Sequence, residues 1–472
     1  MPHAAGTAAS TLPSDPADLS ANDLLALYAT GALSPVEAIR AVIARVERAE
    51  PALKALYAFD PERALADAQA SEARWTRGEA LALDGVPATL KDNIATKGTP
   101  MPLGTAARPL DPMPEDAPPA ARLREAGAIL FAKTTMPDYG MLSSGLSSFH
   151  PLTRNPWDVT KNPGGSSAGA GAAAAAGYGP LHLGTDIGGS IRLPAGWCGV
   201  FGLKPSLGRI PIDPPTYGRV AGPMTRSVTD AALMMRVLAQ PDPRDTMSLP
   251  PQSIPWDDLT LDVKGLRVGL MMEAGLGLPL DGQVRAAVTE AARLFEAAGA
   301  VVEPMAPFLT RSMLDGLDRF WRMRAWMDLR ALSTERRDRI LPYIRAWAES
   351  GQALTGEEVY DGLHQMSVMR HAAVAACRPF DFVLSPVSPV AAYAAEWASP
   401  LDDPMRPFEH IGYTVAFNMS EQPAASVNAG YTRSGLPIGL QIVGQRFDDL
   451  GVLRASRAFE RMRPAQRPWP AF

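Results

Sequence analysis

Residues 162–205 read NPGGSSAGAGAAAAAGYGPLHLGTDIGGSIRLPAGWCGVFGLKP and bring serines out of two glycine-flanked turns. Ser166 and Ser167 follow Gly164 and Gly165, and Ser190 follows Gly188 and Gly189. Glycine takes positive φ freely and lets a ligand or a second chain come close. Two such turns in one stretch can aim hydroxyls and bare backbone N–H groups at a single point. A flexible Gly/Ser linker has a similar composition. Linkers, however, do not carry apolar runs to bury, and this stretch carries Leu181-His182-Leu183 and Ile191-Arg192-Leu193-Pro194.

A serine nucleophile needs a base. His182 falls inside an expected strand and reads as a core residue, so histidine is not on offer nearby. A lysine serves if its pKa falls from about 10.4 toward 7, which corresponds to roughly 4–5 kcal/mol of disfavoured charge. The chain has only seven lysines. Lys91 stands out because it follows the apolar run Val86-Pro87-Ala88-Thr89-Leu90. The competing local reading pairs it with its neighbour Asp92.

Other chemistries fail on spacing. There is no GxxxxGK[ST], and GYGPLH lacks the third glycine of a dinucleotide fingerprint. Ser190 lies in GGSIR rather than GxSxG, and no lysine follows a serine by three residues. The six histidines form no HExxH, and Cys198 and Cys377 have no metal-ligand spacing, so neither a metal nor another cofactor is expected.

These residues must be positioned by a large core. The chain has 472 residues, 46% of them hydrophobic, with 45 basic and 50 acidic side chains. No basic block rises above that background, which argues against a nucleic-acid surface. No apolar run reaches the roughly 18 residues of a membrane span. The first 20 residues lack the pattern of a secretory signal and read as a partly disordered lead-in to a domain spanning 21–472. A cytoplasmic protein is expected, as a monomer or homodimer.

Strand and helix signals alternate along the whole chain. Helices are expected from Ser34-Pro35-Val36-Glu37 to about 49, over 64–77, 120–126 and 167–177, from 227 to about 239, over 281–298 and through most of 309–378, with a last one from 448 to about 462. Strands are expected at 85–90, 129–133, 181–185, 199–204, 266–271, from 301, and at 382–384, 424–427 and 438–443. A Pro/Asp-rich linker at 241–262 is the clearest composition shift, and whether it divides the domain is open on sequence alone. The pattern predicts an α/β fold, one large domain with a mixed β-sheet covered by helices on both faces.

Several segments together resemble the amidase signature family, which hydrolyses amides and related C–N bonds with a Ser–cis-Ser–Lys triad. They are GVPATLKDN (85–93), GGSSAGAG (164–171), GTDIGGSIRLPA (184–195) and CGVFGLKPSLGRIP (198–211), with FDFVLSPVSP (380–389) and GLPIGLQIVG (435–444) further on. The core of the likeness is 85–211. The resemblance implies Ser190 as nucleophile, Ser166 as the serine in a cis peptide that relays protons, and Lys91 as base. It implies an oxyanion hole from the N–H groups of Ile187, Gly188, Gly189 and Ser190, with Ser167, Asp186 and Arg192 as supports. Tyr139, Gly140 and Met141 would line the substrate pocket.

The family also includes the glutaminase subunit of tRNA amidotransferases. Its YDAYY-like segment is missing from TGEEVYDGLHQMSVMRHAA (355–373), and Glu421 stands where the family more often has glycine. A stand-alone hydrolase of a small-molecule substrate is therefore expected. The alternatives are a non-catalytic Gly-loop binding protein and the amidotransferase subunit. The loop after Tyr139 holds no Arg or Asp to clamp a charged substrate. An uncharged amide, anilide or carbamate with an arylamine leaving group follows. The Trp321–Met327 cluster either closes over the pocket or packs as ordinary helix core.

Overall fold

The computed structural model describes residues 13–472. Eleven strands form one sheet: β1 (Leu56–Tyr57), β2 (Pro87–Lys91), β3 (Ile129–Thr134), β4 (Leu181–Asp186), β5 (Phe201–Lys204), β6 (Val220–Thr225), β7 (Arg267–Leu270), β8 (Val301–Pro304), β9 (Phe382–Pro386), β10 (Ala424–Tyr431) and β11 (Pro437–Val443). Their order is β1-β3-β2-β4-β6-β5-β10-β11-β9-β7-β8. β2 runs parallel to β3 and β4, and β7 to β8 and β9, whereas the centre from β4 through β6, β5, β10 and β11 to β9 is antiparallel. Strands from both sides of the 241–262 segment therefore share one sheet.

Side chains alternate across the sheet. Leu90, Leu183, Leu203 and Ile442 join an apolar cluster with Leu24, Leu123, Met234, Phe295 and Phe459 from helices. On the other face, Met224, the cross-strand partner of His182, packs against Ala170, Ala174, Ile191 and Ala195. Thr89 and Lys91 point to that second face, because Thr89 Oγ1 lies 2.8 Å from His182 Nδ1. His182 is fully buried, its other ring nitrogen 3.0 Å from Gly179 O, and burial pushes its pKa down to about 4. It is a satisfied core residue.

The helix Ala168–Ala176 is buried on every side, as its lack of polar residues requires. An added Cβ at Gly169 would meet Ala55 O at 2.2 Å, so glycine is what lets this helix lie against its neighbours. Arg226 donates to the carbonyls of Ala174 and Ala175, both at 2.9 Å, and satisfies the helix C-terminus.

Some elements depart from the sequence reading. Residues 1–12 of the expected lead-in lie outside the described residues, but the rest of it is ordered: Pro16–Asp18 form a 3₁₀ turn, and Asp15 and Asp18 pair with Arg45. Helices Ala21–Thr30, Arg192–Cys198 and Val415–Met419 and strand β6 had no assigned signal. β6 contains Gly222-Pro223, which reads as a breaker. A Cβ at Gly222 would lie 2.0 Å from Leu203 O, so the glycine serves close strand contact rather than a turn. No described helix is long and apolar enough to cross a membrane.

Candidate active site

The parallel pairing of β2 with β4 sets Ala88 opposite Leu181 and Leu90 opposite Leu183. Lys91 and the turn 187–190 thus emerge side by side at the carboxyl ends of adjacent strands, where open α/β sheets gather functional groups. The 164–167 turn, with a cis peptide between Gly165 and Ser166, leads into the buried helix and brings its serines to the same place.

Lys91 is completely buried. Its Nζ donates to Ser166 Oγ at 2.8 Å, Ser167 Oγ at 3.0 Å and Thr185 Oγ1 at 3.0 Å, all neutral acceptors. Burial is the main force pushing its pKa down to about 7; Asp186 and Asp92 oppose the shift and Arg219 adds to it. The local pairing with Asp92 does not form. Strand alternation turns Asp92 the other way, where it accepts from the N–H groups of Leu103 and Gly104 and lies 2.8 Å from His150 Nε2.

Ser166 is 3% exposed, whereas Ser190 is half-buried and lines a cavity of about 340 Å³ together with Ser166. Among the described residues Ser190 Oγ has no side-chain hydrogen bond, and the Ser166 and Ser190 hydroxyls are not within bonding distance of each other. The two chain segments are tied instead by Ser167 N–H donating to Ser190 O at 3.1 Å.

The turn after β4 is held by one buried ion pair. Asp186 accepts from Arg192 Nε at 3.0 Å and Nη2 at 2.9 Å, and from Asn418 Nδ2 at 2.9 Å. Burial alone would raise the Asp186 pKa, but the charge and hydrogen bonds of Arg192 outweigh it and hold the carboxyl well below its usual range. Arg192 also donates to Thr414 O, Gln441 Oε1 and Asn418 Oδ1. This network takes up one of the four N–H groups expected in the oxyanion hole. The Gly189 N–H donates to Asp186 Oδ1 at 2.8 Å and is not free. The N–H groups of Ile187, Gly188 and Ser190 have no acceptor among the described residues.

Tyr139, Gly140 and Met141 all line the cavity. Gly140 has φ +70°, and a Cβ there would sit 3.2 Å from Ser166 Oγ and 3.1 Å from Met136 Cε. Gly140→Ala is expected to displace the Ser166 hydroxyl and lower kcat/KM by about tenfold or more, roughly 1.4 kcal/mol. It should also lower the melting temperature, because alanine is strained at positive φ. Wild-type kcat/KM in the folded variant would show that Gly140 does not set the Ser166 position.

A family model described as Amidase matches residues 37–453. The chain belongs to the amidase signature family. It is similar to the A subunit of the glutamyl-tRNA(Gln) amidotransferase of Myxococcus xanthus, at 35% identity over 94% of this chain and 97% of that protein. Among solved structures it is similar to a bacterial aryl acylamidase of the same family, with a TM-score of 0.87 and 30% identity over 94% of this chain and 96% of that one. The 6-aminohexanoate cyclic dimer hydrolase, solved with substrate, gives 0.85 and 26% over 95% and 97%.

Within this amidase signature enzyme, several further cavity residues lie outside the set expected from the sequence. Asn93 donates to Thr185 Oγ1 at 3.0 Å and lines the cavity, with Arg219, Arg324 and Asp328 nearby. Of the Trp/Met cluster, Trp321 is buried and borders an adjoining apolar hollow beside Gly188, with Met141, Leu142, Phe408 and Ile411, while Met327 is exposed. The cluster does not act as one unit. Glu421 is buried away from the cavity, paired with Arg370 and Arg446.

Proposed function

We propose that this chain is a stand-alone hydrolase of small amide, anilide or carbamate C–N bonds, working through an acyl-enzyme on Ser190. The observation that carries the reading is the buried Lys91, with a pKa of about 7, 2.8 Å from Ser166 in the cavity that Ser190 lines. Neutral Lys91 accepts the Ser166 proton while Ser166 takes the proton of Ser190, whose oxygen attacks the carbonyl. The step requires the Ser190 side chain to turn toward Ser166. The free N–H groups of Ile187, Gly188 and Ser190 receive the developing oxyanion, a contribution of about 3–4 kcal/mol per donor. The proton returns through Ser166 to the leaving nitrogen, and water then releases the acyl group. With a carbamate, Ser190 holds an alkyl carbonate, whose hydrolysis gives alcohol and carbon dioxide.

The hollow walled by Met141, Leu142, Trp321, Phe408 and Ile411 beside Ser190 suits an aryl or other flat apolar group. That favours an anilide or aryl carbamate. The second reading is the glutaminase component of a tRNA-dependent amidotransferase, which works with partner chains. It is favoured by the 35% identity to such a protein over 94% of the chain. The discriminating experiment measures kcat/KM of the isolated chain for an anilide, an aryl carbamate, a short aliphatic amide and glutamine. The first two are expected to lead. Glutamine ahead by more than tenfold, or no turnover until partner chains are added, would establish the second reading instead.

A pH profile tests the base. Lys91 must be neutral, so kcat/KM should be level above about pH 7 and fall tenfold per unit below it. Burial also lowers Lys133 and Lys204, to about 8 and about 7, so the controls are that Lys133→Met and Lys204→Met each leave the acid limb where it was. A limb that moves with either of them would take the assignment away from Lys91.

A further inference from the structure

The reaction cavity holds two guanidinium groups that make no salt bridge among the described residues. Arg219, from the turn before β6, and Arg324, on the helix Arg311–Arg330, line the same cavity as Ser166 and Ser190. Other arginines of that helix are paired: Arg311 with Glu409 at 2.8 Å, Arg319 with Asp361 at 2.5 Å and Arg322 with Asp318 at 2.6 Å. Arg324 is different. Its polar contact is Met141 Sδ at 3.8 Å, and it stands 6.0 Å from the centre of the Trp321 ring. Arg219 donates to Pro214 O. Among the described residues neither comes within 4 Å of a carboxylate. Asp328, one turn on from Arg324, also borders the cavity but is exposed.

Two like charges sharing one partly desolvated cavity repel, and each has donors left over. Burial first, and then the charge of Arg324, push Arg219 down to about 10 against the more distant charges of Asp245 and Asp213. An arginine fork matches the two oxygens of a carboxylate. An anion placed between the two groups satisfies both.

We propose that Arg219 and Arg324 form a carboxylate-binding subsite, so that the amide or carbamate cleaved at Ser190 carries a carboxylate on another part of the molecule. This inference rests on the hydrolase reading above and replaces the expectation of an uncharged substrate. That expectation drew only on the loop after Tyr139, whereas these cations come from segments near 219 and 324.

Two matched pairs of substrates test it. N-succinyl-4-nitroanilide against N-butanoyl-4-nitroanilide places the carboxylate on the acyl side. 4-Acetamidobenzoate against its methyl ester places it on the amine side. In at least one pair the carboxylate is expected to give a kcat/KM tenfold or more above its neutral partner. The advantage should shrink at high salt and disappear in Arg219→Met and Arg324→Met, with the two members of a pair compared within the same variant so that any change at Lys91 cancels. Equal or better turnover of the neutral partner in both pairs overturns the subsite and leaves the hydrolase reading intact. Calorimetric binding of the same compounds to Ser190→Ala gives a readout independent of turnover. If no compound is cleaved but the carboxylates bind tenfold more tightly, the subsite stands and the hydrolase reading falls. No preference in binding overturns the subsite.

Discussion

Ser190→Ala is expected to lower kcat by roughly 10⁵- to 10⁶-fold, with the protein still folded. The hydroxyl that would form the covalent bond is half-buried and holds no side-chain hydrogen bond among the described residues, so its loss leaves no buried partner stranded. Lys91→Met should lose nearly as much activity, because a proton relay fails as a unit, and the double variant should be no worse than either single one. The two variants should part on stability. Burial holds Lys91 near 7 in the folded protein, against about 10.4 when unfolded. Between those values the unfolded chain binds a proton that the folded chain does not, so this lysine opposes folding, and stability rises with pH across the window. Lys91→Met removes that burden. Its unfolding midpoint at pH 7 should lie above the wild type's, with that part of the pH dependence gone. Single-turnover assays and denaturant titrations read both effects. Activity within tenfold of wild type in either folded variant would remove the mechanism, and a lower midpoint in Lys91→Met would remove the account of its burial.

The difference between Lys91 and Asp92 also explains what sequence reading could reach. Both were visible as polar residues at a strand end, and adjacency suggested an ion pair. The period of two in β2 sends them to opposite faces, one to Ser166 and the other to His150. The glycine-serine turns were readable because few other purposes put serines in that setting. Gly189 was not separable from its neighbours, since the loss of its N–H to Asp186 depends on how the turn closes. Strand β6 was hidden because Gly222-Pro223 looks like a turn until Leu203 is brought against it. The arginines of the cavity were beyond local reading. Arg324 sits in a helix whose tryptophans and methionines read as core, and only the packing of that helix over the β4 turn makes it face Ser190.

Arg192→Met is expected to cost about 3–5 kcal/mol of stability, the usual loss when one partner of a buried ion pair is removed. Both partners are at most 1% exposed, and Arg192 makes contacts to Asp186, Asn418, Gln441 and Thr414 O that join the β4 turn to the helix Val415–Met419 and to β11. Methionine fills a comparable volume, so the loss would be electrostatic rather than a cavity. It leaves Asp186 ionised and buried without its cation, although the N–H groups of Gly189 and Ile191 still point at it. The carboxyl would then bind a proton more readily. Part of the lost stability should return as pH is lowered, until other carboxylates begin to titrate. Activity should fall as well, because the Asp186 carboxylate pins the turn that carries Ile187, Gly188 and Ser190. The double variant Asp186→Asn with Arg192→Met removes the stranded charge and should recover part of the stability. It should recover less of the activity, since asparagine offers one carbonyl oxygen where the carboxylate offered two to Gly189 and Ile191. Soluble yield and denaturation midpoints across pH 5 to 8 measure the first effect, and kcat on one anilide the second. An Arg192→Met midpoint equal to wild type would show that the ion pair does not hold the turn, and stability with activity recovering in step would show that the turn's position depends only on the fold being present.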